Sequence, residues 1–298
     1  MSLSIILPAK NETNSLETLL PRLRSLYEDA EIIVVDDGST DNTREICIQN
    51  HVKIVSHPYS MGNGAAIKTG ARNATGHTLI FMDADGQHDP TDINRLLEKL
   101  DQGFDMVVGA RSHSSQASWG RRFANSAYNR LASFMTGHQI EDLTSGFRAV
   151  RARHFKKFLY LLPNGFSYPT TSTMAFFRSG LPVGYIPIEA SKREGLSHIK
   201  VVKDGLRFLV IILKIGALFS PMRFFLPIST GLFFLGIAYY GYTYLYWGRL
   251  TNMSALLFVS ALLTFLIGIL SEQISSLHYK HADDDRRRST RPSPDEDE

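Results

Sequence analysis

TLIFMDADGQHDP, residues 78–90, is the stretch whose reading decides the fold. Leu79, Ile80, Phe81 and Met82 form a short apolar run of the kind that makes a buried strand, and it stops at Asp83, Asp85, Gln87, His88 and Asp89. A core strand thus delivers carboxylates to a sheet edge. Side chains alternate along a strand, so Asp83 and Asp85 can point to one side. There, two hard oxygen ligands could share a divalent cation, or a cation and a ribose, with a diphosphate as the third partner. Two other readings use the same residues. A calcium loop begins with this spacing, but its sixth position requires glycine and here is His88, and its twelfth requires a bidentate glutamate and here is Asn94. A polar turn capping a helix that starts near Thr91 and Asp92 needs only ordinary turn residues such as Asp and Pro.

On the N-terminal side, strands and helices alternate. Ser4 to Leu7 reads as a strand, followed by the polar turn Pro8-Ala9-Lys10-Asn11-Glu12 and a helix with Leu16, Leu19, Leu20, Leu23 and Leu26 at helical spacing. Glu31 to Val35 is a second strand that runs into Asp36-Asp37-Gly38-Ser39-Thr40-Asp41, and Lys53 to Ser56 is a third. This alternation predicts an α/β fold, a doubly wound sheet with ligands beyond the carboxyl ends of its strands. Gly62, Gly64 and Gly70 resemble a dinucleotide fingerprint, but the third glycine is displaced and Tyr59-Ser60 separates the motif from its strand. Backbone approach to a phosphate or sugar edge, or a plain glycine-rich helix entry, both fit.

On the C-terminal side, Asp105 to Gly109 reads as a further strand ending at Ala110-Arg111. A helix over 120–137 follows, with Arg122 and Ser126 four apart and therefore on one face. The pair suits a phosphate clamp, because guanidinium is a planar fork of donors; a solvated basic face is the alternative. Glu141-Asp142 brings another acidic pair into a turn, and Thr173 to Phe177 and Val183 to Ile188 are apolar pieces.

The 298 residues are 44% hydrophobic with a net charge of +3, but the charge is unevenly spread: the stretch from Phe224 to Ser271 is nearly uncharged. Segments 224–247 and 253–271 are each long enough to cross a hydrocarbon core of roughly 30 Å, and the short link Gly248 to Asn252 makes them a hairpin. Before it, Lys200, Lys203, Arg207 and Lys214 share one helical face, the profile of a helix lying in the membrane interface. Cations flank the hairpin on both sides while its turn carries only Arg249, so the positive-inside rule places both termini in the cytoplasm. Tyr239, Tyr240, Tyr242, Tyr244, Tyr246 and Trp247 gather as an aromatic belt would. The tail, charge-blocked and proline-containing, is expected to be disordered. The expected organisation is a cytoplasmic domain over 1–198, juxtamembrane amphipathic helices over 199–221, a membrane hairpin over 222–275 and a polar tail over 276–298. The single cysteine, Cys47, excludes an internal disulfide and is expected to pack rather than react. The N-terminus has no signal-peptide pattern, and no basic stripe interleaved with aromatics points to nucleic acid.

Taken together, LPAKNE, VVDDGSTDNT, GNGAAIKTG, IFMDADGQHDP, VVGARS, DLTSGFRAV and REGLSHI occur in the order found in the polyprenyl-phosphate glycosyltransferases of glycosyltransferase family 2. The chain resembles that group, which includes dolichol-phosphate mannose synthase and the bacterial undecaprenyl-phosphate glucosyltransferases. The resemblance implies a GT-A nucleotide-sugar domain with a mostly parallel sheet. It places Pro8, Lys10, Glu12 and Asp37 around the nucleoside, with Asp83 on the nucleotide and Arg193 near the donor diphosphate. It also implies a Mg or Mn ion with the diphosphate at Asp85 and Gln87, an acceptor phosphate held by Arg111, Arg122 and Ser126, and Asp142 facing the sugar. Asp85, Arg111, Arg122 and Asp142 would carry the catalysis. Gly86 stands where a bulkier residue is common, and His198 where lysine is common.

What the resemblance implies is an inverting hexosyl transfer from a nucleotide sugar to a membrane polyprenyl phosphate in the plasma (inner) membrane, with a homo-oligomer, a tetramer by resemblance, as the expected assembly. UDP-glucose is the favoured donor, ahead of UDP-N-acetylglucosamine, other UDP-sugars and GDP-mannose. A membrane-bound polysaccharide synthase is the alternative enzyme, though its Gln-x-x-Arg-Trp motif is missing. A sugar-nucleotide sensor without catalysis is the alternative outside enzymes. A lipid phosphate is already ionised, so Asp142 is expected to orient the sugar rather than act as an essential base.

Overall fold

The computed structural model describes residues 2–111, 119–165, 168–189 and 220–289. They fall into two units, one built on a sheet (1–133 and 138–198) and one on a helical hairpin (134–137 and 199–298). Residues 199–219 of the amphipathic segment expected over 199–221, together with Arg193 and His198, lie outside the described residues.

The sheet unit runs β1 (Leu3–Ala9), α1 (Thr13–Leu26), β2 (Glu31–Asp36), α2 (Thr43–Gln49), β3 (Lys53–Ser56), α3 (Asn63–Asn73), β4 (Thr78–Phe81) and α4 (Asp92–Asp101). It continues with β5 (Met106–Arg111), α5 (Trp119–Thr136), β6 (Arg148–Arg151), α6 (Ala152–Phe155), a short 3-10 segment, α7 (Tyr168–Arg178) and β7 (Val183–Ile188). Seven strands form one sheet in the order β3-β2-β1-β4-β6-β5-β7, parallel except for β6, which is antiparallel to both β4 and β5. Ile5, Ile6, Leu7, Leu79, Ile80 and Phe81 are all fully buried, because strands covered on both faces need an unbroken apolar run rather than alternation.

Register decides where the site lies. β1 pairs with β2 as far as Ala9 opposite Asp36, and with β4 as far as Ile6 opposite Phe81, so the residues following all three strands open at one edge. β6 runs the other way, with Arg148 opposite Phe81, which brings the turn before it, 142–147, to that same edge. The strand β6 was not expected from the sequence, and the apolar piece Thr173 to Phe177 is part of helix α7.

The hairpin unit contains α8 (Pro221–Trp247) and α9 (Asn252–Ser289). Both hold segments long and apolar enough to cross a membrane, Pro221–Trp247 and Asn252–Leu277. At 1.5 Å per residue the first is about 40 Å long, enough to span. Small residues bring the helices together: a Cβ on Gly236 would lie 3.0 Å from the Phe258 ring, and one on Gly268 would lie 2.9 Å from Phe225 Cβ. Ser229 Oγ donates across the pair to the Ala261 carbonyl at 2.8 Å. Gly248, with φ 63°, ends α8 in the left-handed conformation that favours glycine. The second helix is longer than expected. It stays helical to Ser289, through residues that the sequence suggested as part of a disordered tail.

Candidate active site

The acid turn starts where β4 stops pairing. Met82 N–H still donates to the Ile6 carbonyl at 3.2 Å, after which the chain leaves the sheet. Asp83 and Asp85 therefore sit in a turn and not on the strand. Alternation persists even so, with Met82 and Ala84 buried and Asp83 and Asp85 half-buried. Gly86 has φ 72° and open space around a hypothetical Cβ, so backbone conformation rather than crowding requires glycine there. Beyond it, the Gln87 N–H donates to Asp85 Oδ1 at 3.2 Å. His88 is buried with its ring stacked on Phe147, and Asp89 starts α4 by accepting from the Thr91 N–H at 2.9 Å.

The turn 142–147 faces this one with a buried ion pair. Asp142 Oδ2 accepts from Arg111 Nε at 2.8 Å, and Oδ1 accepts from Arg111 Nη2 at 3.1 Å, a bidentate fork. Oδ1 also accepts from the N–H groups of Thr144 (3.0 Å) and Ser145 (3.1 Å), and Arg111 Nη2 reaches Thr144 Oγ1 at 2.6 Å. Burial alone would raise the Asp142 pKa, but the Arg111 guanidinium and the turn amides outweigh it and hold the carboxyl below its ordinary value. An acid so held is a poor proton acceptor near neutrality. Arg111 Nη1 donates no hydrogen bond among the described residues, and the side chain is only half-buried, so the guanidinium keeps donor capacity beyond its pairing with Asp142.

Sequence reasoning missed what supports this turn. Arg148, fully buried, donates from Nη1 to the Pro169 carbonyl (3.0 Å), Ser172 Oγ (2.8 Å) and Thr173 Oγ1 (3.2 Å), and from Nη2 to the Ser145 carbonyl. Tyr168 OH donates to the Gly146 carbonyl at 3.1 Å. Gly146 itself leaves no room beside the acid turn, since a Cβ there would come within 3.0 Å of Asp83 Oδ2.

On the other side of the edge, the loops after β1 and β2 are stitched together. Asn11, at φ 57°, accepts from the Thr40 N–H at 2.8 Å, and the Glu12 N–H donates to Thr43 Oγ1 at 3.2 Å. Glu12 also takes a hydrogen bond from Ser15 Oγ at 3.3 Å, whereas Lys10 is exposed and Pro8 half-buried on β1. Asp37, which the resemblance places around the nucleoside, is held by donors of the loop that follows β3. Its oxygens accept from Ser60 Oγ (2.8 Å), Met61 N–H (2.7 Å) and Gly62 N–H (2.9 Å), and His57 Nδ1 lies 2.7 Å away. Burial opposes ionisation of Asp37, and these donors overcome it to lower its pKa. The carboxylate organises the loop 57–62.

At the glycine-rich entry, backbone donors are engaged within the protein. The N–H groups of Gly64 and Ala65, at the start of α3, donate to the carbonyls of Gly165 (3.2 Å) and Asn164 (2.8 Å). A Cβ on Gly64 would meet the Pro163 carbonyl oxygen at 2.0 Å, and one on Gly70 would meet Ile6 Cγ2 at 2.3 Å. At these two glycines the close approach of neighbouring atoms leaves no space for a side chain. Arg122 and Ser126 both lie on α5; Ser126 is exposed, and the Arg122 side chain is outside what is described.

Residues 4–159 match the family described as Glycosyl transferase family 2. The chain belongs to that family. Residues 220–277 separately match the family described as GtrB C-terminal hairpin, a range that takes in both membrane-length segments. The solved structures similar to this family 2 glycosyltransferase include glucosyl-3-phosphoglycerate synthase from Mycobacterium tuberculosis in complex with Mn2+ and UDP-glucose. That likeness has a TM-score of 0.57 and 21% identity, and covers 72% of this chain and 78% of that one. The same enzyme with Mn2+, UDP-glucose and phosphoglyceric acid gives 0.58 and 20%, with the same coverage. A further mycobacterial protein gives 0.58 and 18%, covering 72% and 74%. These likenesses establish the GT-A fold, a mixed but mostly parallel sheet followed here by the apolar hairpin.

In this glycosyltransferase the acid turn fits a divalent ion only as a partial donor set. Among the described residues no three His, Cys, Asp or Glu side chains form a cage. Asp85 and Gln87 offer hard oxygen donors two residues apart on a half-buried turn. That set suits Mg or Mn, which keep waters and take remaining ligands from substrate phosphates.

Proposed function

We propose that the protein transfers a hexose, glucose from UDP-glucose first among the candidates, onto the phosphate of a membrane polyprenyl phosphate, with inversion at the anomeric carbon. The observation that carries this reading is the pairing, in one family 2 chain, of the Asp142–Arg111 fork with a GtrB-type hairpin. A polyprenyl chain gains about 0.8 kcal/mol per CH₂ buried in lipid, so the acceptor stays in the bilayer and the enzyme must be anchored to reach it. The catalytic domain and both termini are then cytoplasmic, where the nucleotide sugar is made.

The residues divide the work by charge. Pro8, Lys10 and Glu12 on the β1 loop meet the nucleoside, while Asp37 acts indirectly by fixing the loop beside it. Asp83 orients the nucleotide, and Asp85 and Gln87 hold the metal. A divalent ion bound there supplies positive charge for the departing diphosphate. Arg111, oriented by Asp142, presents its Nη1 edge to the acceptor phosphate, with Arg122 and Ser126 completing the clamp and Arg193 close to the donor. The phosphate oxygen attacks as an anion, so Asp142 keeps Arg111 aligned and accepts no proton.

The test is to incubate the purified full-length chain in detergent with undecaprenyl phosphate and labelled UDP-glucose, UDP-N-acetylglucosamine or GDP-mannose, with and without chelator. The expected result is label in the lipid phase from UDP-glucose, lost in chelator and restored by Mn2+, with the anomeric configuration inverted. No lipid-phase label from any donor, or a product of retained configuration, would overturn the reading.

A further inference from the structure

The acid turn carries one side chain that the reaction above leaves without a task. The imidazole of His88 is buried, with 5% of its side chain exposed, and stacks on Phe147 with ring centres 4.9 Å apart and planes 14° from parallel. Its Nε2 lies 3.8 Å from Asp83 Oδ2, beyond hydrogen-bond reach. Its Nδ1 is also buried and has no hydrogen-bond partner among the described residues. A buried imidazole nitrogen without a partner is costly, and packing against Phe147 alone would be served as well by a phenyl ring. Asp83 lies beside Gly146, where any side chain would have to push its carboxylate aside, since an added Cβ would come to 3.0 Å from Asp83 Oδ2.

We propose that His88 is a positioning residue for Asp83. An ionised carboxylate only accepts hydrogen bonds, so the nitrogen facing it must be the donor, and the tautomer consistent with the geometry carries its proton on Nε2. When a nucleotide engages Asp83, a shift of under about 1 Å brings Nε2–H into hydrogen-bond range. Phe147 holds the imidazole plane, so the bond fixes which way the carboxylate points. This inference rests on the reading that Asp83 contacts the donor nucleotide.

Three variants test it, with binding of uridine diphosphate and guanosine diphosphate to the full-length protein measured by calorimetry and the melting temperature recorded alongside. His88→Phe keeps the stack on Phe147 and removes the donor; His88→Gln returns an N–H near the Nε2 position; His88→Asn offers one only near Nδ1. For the nucleotide that wild type binds, affinity is expected to fall about tenfold or more in His88→Phe, the effect of losing a hydrogen bond to a charged group. His88→Gln should recover to within about threefold of wild type and His88→Asn should not, with the acceptor KM unchanged throughout. Equal binding by wild type and His88→Phe overturns the inference, as does equal loss in the Gln and Asn variants. If His88→Phe fails to fold, the Gln against Asn comparison decides alone. Failure of wild type to bind either nucleotide would instead sink the transferase reading itself.

Discussion

Replacing Asp142 by asparagine separates a structural duty from a chemical one. In the wild type both Asp142 oxygens accept from Arg111, and Oδ1 also serves the Thr144 and Ser145 amides. An asparagine has one acceptor oxygen, so its NH₂ must face either the guanidinium or the amides, donor against donor. Removing one partner of a buried pair costs about 3–5 kcal/mol. Because 31% of the Arg111 side chain stays exposed and water can reach it, the lower end applies, about 3 kcal/mol. For a domain of this size that is a fall in melting temperature of about 6–12 °C, measurable by circular dichroism in detergent. The pH dependence has a definite sign. The folded pKa of Asp142 is depressed, so the pair stabilises fully above the ordinary carboxylate range and the contribution is lost as pH falls through the lowered value. The gap between wild type and variant should therefore close below about pH 4. Turnover should fall with a raised KM for the lipid phosphate, since Arg111 loses its alignment. An Asp142→Asn protein that melts with the wild type yet has no activity would refute this, and would make Asp142 a proton acceptor.

Two further outcomes follow from the packing. Gly64→Ala should lower the urea midpoint by an amount equivalent to about 2–3 kcal/mol, because its Cβ must displace the Pro163 carbonyl; an unchanged midpoint would show that the 162–165 loop yields freely. Glu31 lies at the opposite end of the sheet and accepts from Ser4 Oγ, the Thr75 N–H and Lys53, which outweigh the effect of burial and take its pKa from 4.5 to about 2. Its stabilisation exists above the ordinary carboxylate range and fades as pH falls toward that lowered value, so Glu31→Gln should be less stable than wild type at pH 7 and converge with it in acid. A difference that widens in acid would contradict the assignment.

The central strands were legible because burial on both faces writes itself as unbroken apolar runs, as in Ile5-Ile6-Leu7 and Leu79-Ile80-Phe81. β6 was not. RAVR is four residues bounded by arginines, and the partners that let Arg148 sit in the core, Ser172 and Thr173 among them, lie on α7 and meet it only after folding. The acid turn was recognisable as the end of a core strand, yet its geometry comes from a turn set by Gly86 rather than from strand pleating. Likewise nothing local to Asp37 shows that its oxygens are claimed by Ser60, Met61 and Gly62, more than twenty residues on. Cys47 packs as expected; it is fully buried, and burial together with the charge of Asp36 pushes its thiol up to about 11. Where a side chain's partner is remote, residue type alone indicates a capacity and not its use.

The seal of Asn164 and Gly165 over the first turn of α3 has a consequence for where the charge of that helix is used. Many nucleotide-binding folds neutralise phosphate with a helix terminus, a charge built permanently into the backbone. Here the Gly64 and Ala65 N–H groups of that terminus are spent on the protein's own chain, so the partial charge of α3 serves the 162–165 loop in place of an outside anion.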